Sequence, residues 1–294
     1  MADNRAITCT NEDNVAFTFS RTSAPFVLIE CDGIYEVSND VSTSANTMTD
    51  GSTYLGTVTQ MRNIVLTIRD RPGTDHRYNR DFLYTLFKSK SAGTFLYEED
   101  DTERQIGYYV ESVDITNSTS SRTATVSLLC PDPFFADTDD VSVILAGWEG
   151  AFEFQHEFVN GGEELGDRVL EKSASIANES AADNIGLTIT ITAYNTVVNP
   201  SITHVEQGIT MQIGTEDYPY TMEYGEKIVI TTETGNKHIY SVIDGVQTEI
   251  NEYLSADSEF IQLMSGSNNI GYTADEGEEY MGVTITYRYR YAGA

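Results

Sequence analysis

The chain has 294 residues, of which 46 are acidic and 17 are basic, so its formal charge is −29 and its isoelectric point is near 4.2. A surface of this sign repels phosphate, which argues against nucleic acid and anionic lipid as stable partners. No apolar run approaches the roughly 18 residues of a spanning helix, and a 40 % apolar content is enough to build folded cores. At roughly 150 residues per domain, the length predicts about two domains.

Residues 1–138 show the pattern of a β-rich domain. Apolar residues alternate with polar ones, and many of the apolar positions hold β-branched or aromatic residues, as half-buried strands require. The alternation predicts strands at 15–19, 26–31, 64–68, 94–97, 106–115 and 124–129. The first ten residues lack the features of a secretory signal, so we expect synthesis in the cytoplasm.

One helix is predicted within this half, at about residues 79–90. Asn79 is its candidate N-cap, and Lys88 and Lys90 lie near its C-terminal end. Its apolar stripe comprises Phe82, Leu83, Leu86 and Phe87.

The segment Ser38–Thr53 is rich in Ser, Thr, Asn and Asp, and it is predicted to be a long loop or arm. Long loops in compact domains are commonly functional or disordered. Pro131 and Pro133 close the last strand of this half, because proline cannot continue a ladder. We therefore predict one domain at 1–138 and a second at 139–294.

The second half predicts an antiparallel β-sandwich. Alternation at 187–192, 227–232, 238–243 and 283–291 is separated by turn residues, including Asp244-Gly245, which is typical of a type I′ hairpin. The acidic, Gly-rich stretch 147–182 is interpreted as a linker or an insertion. This half carries 26 of the acidic residues and only six of the basic ones, so most of the negative charge lies here.

No phosphate loop, dinucleotide fingerprint, nucleophile elbow or metalloprotease helix occurs, so we expect no catalysis and assign no catalytic, cofactor or metal residues. The three cysteines, Cys9, Cys31 and Cys130, are expected to be buried reduced thiols. The histidines lack metal-ligand spacing. Acidic clusters at 98–101, 137–140 and 275–279 are interpreted as solvated turn charge, with Ca²⁺ ligation as the alternative.

Aromatic residues leave a second alternative open, because exposed rings can stack on sugars. Most of the 18 tyrosines occupy alternating strand positions, where packing is the simpler interpretation. Tyr218, Tyr220 and Tyr224 lie in an irregular stretch and are the candidates for exposed rings, together with Trp148, the one tryptophan.

Several segments, taken in order, resemble the distal tail proteins of long-tailed bacteriophages. The likeness lies in the opening strands, a glycine-bearing arm at 51–56, an "R-x-I" strand at 62–68, the helix at 80–87 and the strand at 104–110. The most specific match is Cys130-Pro131-Asp132-Pro133-Phe134, similar to the family's "C-x-D-P-F" close. In the second half, 260–270 is similar to "F-x-L-x-x-G-x-N-x-I". The stretch 147–182 has no specific counterpart.

The resemblance implies a mainly β protein of two β-sandwich domains. The N-terminal domain, with one helix and a long arm, would form a hexameric ring, and the C-terminal domain would be galectin-like. The ring would join the tail tube protein to the tail-tip hub protein at the distal end of the virion's tail, with receptor-binding proteins attached and a lumen for tape measure and DNA. A galectin-like fold does not by itself imply sugar binding.

Two functional hypotheses follow. The first is a structural ring protein with a lumen that repels DNA, whose contacts involve the arm at 38–53 and the helix at 80–90. Its interfaces would either be less acidic than the rest of the surface or recruit the bases Arg62, Arg69, Arg71, Arg77 and Arg80. The alternative is a carbohydrate-binding module that recognises host cell-wall saccharide.

Overall fold

The computed structural model describes residues 5–116, 122–150, 166–170, 173–180, 182 and 184–294, with the side chains of 147–150 and 166–170 left out. Contacts divide the chain into two compact units. The first unit comprises Met1–Thr138 with Arg290–Ala294, and the second comprises Asp139–Tyr289. The last five residues therefore belong to the first unit, although the sequence placed them with the second.

The part of the first unit before residue 139 holds ten strands and one helix among its described residues. The strands are β1 (Ala6–Asn11), β2 (Ala16–Ser20), β3 (Phe26–Asp32), β4 (Asn39–Ala45), β5 (Ser52–Thr59), β6 (Arg62–Asp70), β7 (Ala92–Glu99), β8 (Thr102–Ile115), β9 (Thr123–Cys130) and β10 (Phe135–Asp137). Antiparallel pairing gives a sheet of order β2-β1-β7-β8-β9-β6-β3, and β10 joins this sheet by pairing with β8. Each strand predicted in this half is confirmed, generally with wider bounds.

The helix α1 (His76–Leu86) begins earlier than the sequence suggested. Asp75 is the N-cap, and its Oδ1 accepts from the backbone N–H groups of Arg77 (3.0 Å) and Tyr78 (3.3 Å). The prediction of Asn79 as the cap is wrong, because this residue is buried inside the helix and donates to Thr74 Oγ1. The helix also ends before Lys88 and Lys90.

The core of the first unit lies between the sheet and α1. Leu83, Leu86 and Phe87 are buried there, as the apolar stripe predicted. Phe87 stacks on Phe19 with ring centroids 6.1 Å apart, and Phe82 stacks on Phe26 at the same distance. Aromatic packing thus fixes the helix on strands β2 and β3.

The second unit contains thirteen strands in its described part. They are β11 (Val141–Gly150), β12 (Gly166–Leu170), β13 (Ser173–Asn178), β14 (Thr188–Ala193), β15 (Val197–Val198), β16 (Ser201–His204), β17 (Ile209–Gln212), β18 (Thr221–Met222), β19 (Lys227–Glu233), β20 (Asn236–Ile243), β21 (Val246–Glu249), β22 (Gly266–Thr273) and β23 (Met281–Tyr287). Short 3₁₀ turns occur at Asn251–Tyr253 and Glu278–Tyr280.

Two sheets of the second unit face each other across one apolar core. One has the order β12-β11-β23-β14-β19-β20-β21 and the other β13-β22-β16-β17. Inward residues such as Ile189, Ile230 and Ile285 from the first sheet and Ile202 and Ile270 from the second share this core. The predicted mainly β fold is confirmed. Of the stretch 147–182, the parts covered by β11, β12 and β13 are strands, and 151–165 lie outside the described residues.

Strand β24 (Arg290–Tyr291) pairs with β10 and completes the sheet of the first unit. Phe135 lies opposite Tyr291, and Ala136 opposite Arg290. The sequence predicted one strand at 283–291, because the alternation of apolar and polar residues continues from β23 into β24. The pattern therefore did not indicate that β23 pairs with β11 and β14 whereas β24 pairs with β10.

Candidate assembly surfaces

The segment 38–53, predicted as a loop or arm, is instead most of a β-hairpin. Strands β4 and β5 pair with each other from Asn39↔Thr59 to Ala45↔Ser52 and form a two-stranded sheet of their own. The interpretation as a loop is wrong because Ser and Thr pair well across strands on a solvated sheet, and low apolar content does not prevent pairing. A β-bulge shifts the register between Ser42 and Thr43.

The hairpin exposes apolar side chains that the described part of the chain leaves in solvent. Val41, Thr43, Tyr54 and Thr57 share one face, where the Tyr54 hydroxyl donates to Thr57 Oγ1 at 2.8 Å. Val58 lies on the opposite face, across from Asp40. The exposed apolar residues of this element are Val41, Met48, Tyr54, Leu55 and Val58.

The hairpin is also poor in charge. Asp40 and Asp50 are the charged residues between positions 39 and 59, whereas the whole chain carries −29. The outer edges of β4 and β5 pair with no other strand in the part of the chain that the structure describes. An exposed element that combines apolar side chains, little charge and free strand edges is typical of an interaction surface.

Arg62, predicted as a base at an intermolecular contact, is buried inside the first unit. It is 5 % exposed, lies over the Phe135 ring at 5.0 Å, and burial lowers the pKa of its guanidinium. The guanidinium donates to four main-chain carbonyl oxygens, those of Gly33 (2.6 Å), Ile34 (2.8 Å), Pro133 (2.8 Å) and Ala292. The prediction for Arg62 is therefore wrong: these donors are used within the chain.

A second arginine, Arg104, holds the segment Arg290–Ala294. Its guanidinium donates to the carbonyl oxygen of Gly293 and lies 3.8 Å from the centre of the Tyr291 ring. The Tyr291 hydroxyl donates to Asp137 Oδ2 at 3.0 Å, and Arg290 pairs with Asp132. This cluster was not foreseen, and neither Arg104 nor Tyr291 carries a motif that would have identified it.

The remaining predicted bases differ in availability. Arg71 donates to the carbonyl oxygens of Ser23 and Thr22 and is committed within the chain. Arg80 pairs with its neighbour Asp81 at 3.1 Å on the exposed side of α1. Arg69 and Arg77 are exposed, and α1 also presents exposed Tyr78 and Tyr84. The outer side of the helix is therefore basic and aromatic.

The predicted aromatic candidates of the second unit separate into three cases. Tyr218 and Tyr224 are exposed, as expected. Tyr220 is half-buried, and its hydroxyl donates to the buried carboxylate of Glu226 at 2.6 Å, so the prediction that it is exposed is wrong. Trp148 has its backbone in β11, and its side chain lies outside the described residues. Tyr253, which the sequence did not single out, stacks on Tyr218.

The three acidic clusters lie at separate places in the fold. Glu99 pairs with Arg5, Asp140 with Arg288, and Asp275 Oδ2 accepts from Asn199 at 2.7 Å. In the described part of the chain, no group of three or more His, Cys, Asp or Glu side chains is arranged to hold a metal ion.

Each described histidine has a local partner. His76 contacts Asp70, His204 Nε2 lies 2.9 Å from Asn268 Oδ1 in the core, and His238 Nδ1 lies 2.9 Å from Glu249 Oε1. His156 lies outside the described residues.

The three cysteines are free thiols. Cys9 and Cys130 are buried, and Cys31 is half-buried. Desolvation is the main cause that raises the pKa of both Cys31 and Cys130 to about 12, so these thiols stay protonated near neutral pH. Among the residues described, no helix has the length and apolar character needed to span a bilayer.

Comparison with known proteins gives a consistent result across the chain. The model of the phage tail protein RIFT-related domain matches residues 21–130, and that of the siphovirus-type tail component, C-terminal domain, matches residues 181–291. Together they cover about three quarters of the chain. No curated protein matches the sequence.

Solved structures share the fold at low identity. The distal tail protein of phage SPP1, described as a paradigm of the hub adsorption apparatus in phages that infect Gram-positive bacteria, matches with a TM-score of 0.67 and 13 % identity over 97 % of this chain and 98 % of that one. A chain of the phage P2 baseplate in its activated conformation with Ca matches with a TM-score of 0.54 and 8 % identity over 97 % and 98 %. The corresponding baseplate with Sr gives 0.54 and 8 % over 97 % of each chain.

Both family models describe components of phage tails, and the solved structures share the fold of both units. The protein is therefore a structural component of a phage tail, with its place in the tail or baseplate. The chain belongs to the family of siphophage distal tail proteins.

Proposed function

We propose that copies of this chain form a closed ring that joins the tail tube protein to the tail-tip hub at the distal end of the tail. The ring is proposed to be hexameric, as the resemblance to distal tail proteins implies. Receptor-binding proteins attach to this assembly, and its lumen passes the tape measure and DNA. The observation that carries the proposal is the hairpin β4–β5, an exposed element that pairs with no other strand of the described residues and leaves its apolar side chains in solvent.

A ring needs a heterologous contact, in which one surface of a copy meets a different surface of the next. The hairpin supplies one such surface. Its edges offer unpaired N–H and C=O groups for strand addition, and its faces offer Val41, Tyr54 and Val58 for apolar contact.

The outer side of α1 is the candidate for the second surface. Arg77 and Arg80 are exposed there beside Tyr78 and Tyr84, in a chain that is otherwise strongly acidic. Because the hairpin is poor in charge, apolar contact and strand pairing would supply most of the attraction. The bases on α1 would offset part of the repulsion between copies that each carry −29. The first half is the less acidic one, with 20 of the 46 acidic residues and 11 of the 17 basic ones, which favours it as the ring-forming half.

The charge also bears on the lumen. A lumen that repels phosphate would let DNA pass without sticking, and we expect few basic side chains to line it. A ring whose lumen is lined with Lys and Arg would contradict this expectation.

The test compares two valines of equal exposure by electron microscopy and light scattering at tens of micromolar protein. Val58 on the hairpin and Val246 in β21 are both 67 % exposed. Val58→Lys should shift rings to monomers, whereas Val246→Lys should leave the rings intact. Lysine is preferred to aspartate because Val58 lies opposite Asp40, so the hairpin keeps a favourable cross-strand pair.

Rings with a central hole in the unmodified protein, lost only in Val58→Lys, would support the proposal. If the unmodified protein and both variants are monomers, the phage particle itself should be imaged by electron microscopy, since assembly can depend on the hub partner. If microscopy of that particle also showed no ring of this chain, the proposal would be overturned.

A further inference from the structure

The surface of the second unit carries a stacked pair of tyrosines that the ring does not require. Tyr218 and Tyr253 have ring centroids 4.8 Å apart and an interplanar angle of 15°. Tyr218 is 54 % exposed, so one side of the stack faces solvent. Tyr220 meets Tyr253 edge-on, with centroids 4.8 Å apart and planes at 74°.

The backbone that carries the stack is held in place by hydrogen bonds. The N–H of Gly214 donates to the carbonyl oxygen of Tyr253 at 2.8 Å, which ties together the two segments that supply the rings. The N–H of Thr215 donates to the carbonyl oxygen of Tyr218 at 3.0 Å, and the N–H of Tyr218 donates back to Thr215 Oγ1 at 3.1 Å. The exposed ring therefore sits on a closed turn.

A glycine is required where this turn begins. Gly214 has φ of +84°, and a Cβ there would lie 2.1 Å from Asn199 Oδ1. The same Asn199 oxygen accepts from the N–H of Tyr220 at 2.8 Å. The loop is thus fixed against a buried amide.

A buried polar network supports the stack from below. The Tyr220 hydroxyl donates to Glu226 Oε1 at 2.6 Å, and this carboxylate, only 4 % exposed, also accepts from Ser241 Oγ and from the N–H of Glu223. Burial is the main cause that raises the pKa of Tyr220 above its usual value, so its hydroxyl stays a donor. Rings held this firmly lose little conformational entropy when a ligand binds.

The surroundings of the open face are polar and acidic. Glu216, Asp217 and Glu252 are exposed and adjoin the two tyrosines in sequence. A flat aromatic face packs against the C–H groups of a pyranose ring, and carboxylates accept hydrogen bonds from its hydroxyls. A hot spot for a protein partner is instead typically surrounded by contacts that exclude water, whereas these three charged residues are exposed to it.

We propose that Tyr218 and Tyr253 form a binding platform for a neutral saccharide, with the neighbouring carboxylates as hydrogen-bond acceptors. The sign of the surface excludes polyanionic glycans, which would meet Glu216, Asp217 and Glu252. The site lies within one copy of the second unit and does not depend on ring formation.

The test uses the full chain and three neutral hexasaccharides, maltohexaose, cellohexaose and chitohexaose, in saturation-transfer NMR and calorimetry up to about 10 mM. At least one should bind, and Tyr218→Ala should weaken that binding at least about tenfold. Tyr218→Phe, which keeps the stacking ring, should stay within about twofold.

Tyr224→Ala is the matched control, because Tyr224 is 79 % exposed, follows β18 in the next turn and lies outside the Tyr218–Tyr253 stack. Its binding should equal that of the unmodified chain, and circular dichroism should confirm that every variant is folded. Failure of all three saccharides to bind, binding unchanged in Tyr218→Ala, or binding of polygalacturonate alone would each overturn the proposal. If the two tyrosines instead contact only a protein partner, none of the three saccharides should bind.

Discussion

Two stretches that follow one another in the sequence, the hairpin β4–β5 and the start of β6 at Arg62, use their side chains in opposite ways. Each of the three guanidinium nitrogens of Arg62 donates inside the chain, to four carbonyl oxygens drawn from positions as distant as Gly33 and Ala292. Along the hairpin, apolar side chains face solvent and the outer strand edges pair with no other strand among the described residues. The contrast separates what stabilises one copy from what is available to join copies.

The comparison also shows why exposure decides more than residue type. Arginine is commonly an interface residue, and a stretch of Ser and Thr is commonly a loop, yet here the arginine is internal and the polar stretch is the available surface. A buried guanidinium that loses water needs replacement acceptors, which fixes its surroundings. A solvated hairpin imposes no such demand on the rest of the chain.

Replacing the buried Arg62 is expected to have the largest effect on stability. Arg62→Met keeps much of the side-chain volume but leaves four carbonyl oxygens without their donor, and we expect the first unit to lose about 3–5 kcal/mol of unfolding free energy. Urea unfolding followed by hydrogen exchange of peptides from the first unit measures it.

Arg69→Met is the matched control, because Arg69 lies on the same strand and is exposed. It should change the stability by less than about 0.5 kcal/mol. Equal effects of the two substitutions would show that the carbonyl cluster contributes nothing beyond ordinary surface charge.

The next effect concerns the segment that Arg62 and Arg104 hold. Tyr291→Ala removes the ring under Arg104 and the hydrogen bond to Asp137, and we expect a loss of about 2 kcal/mol in the first unit. Tyr291→Phe removes only the hydroxyl and should cost about 0.5–1 kcal/mol. If both variants unfold like the unmodified chain in the same exchange experiment, strand β24 does not stabilise the first unit.

Local pattern predicted much of the fold, because strands and the apolar stripe of α1 repeat with periods that the sequence displays directly. The alternation at 187–192 and 227–232 became β14 and β19, and Asp244-Gly245 became a turn with both residues at positive φ. The helix start was misplaced because Asp75 and Asn79 are both good caps, and only the burial of Asn79 decides between them.

Long-range contacts explain what the sequence could not provide. Nothing near Arg62 indicates that Ala292 supplies one of its acceptors, and nothing near Tyr218 indicates that Tyr253 covers one face of its ring. In both cases the partners are distant in sequence and brought together only by the folded sheets. Exposed surfaces are harder still, because a residue that serves another molecule leaves no periodic trace in its own chain.

Deleting the hairpin β4–β5 is expected to change the stability of the first unit the least, although it removes the most residues. Replacing Asn39–Thr59 by Asn-Gly joins Ser38 to Gln60, whose N–H already donates to the Ser38 carbonyl oxygen at 2.8 Å, through a two-residue type I′ turn. The first unit should then keep its unfolding free energy within about 1 kcal/mol, since the hairpin forms its own sheet and the shorter connection costs less closure entropy. Light scattering should show this variant as a monomer under conditions in which the unmodified chain forms rings. A loss above about 2 kcal/mol would mean that the hairpin belongs to the internal structure after all, because only packing against the rest of its unit would make its removal so costly.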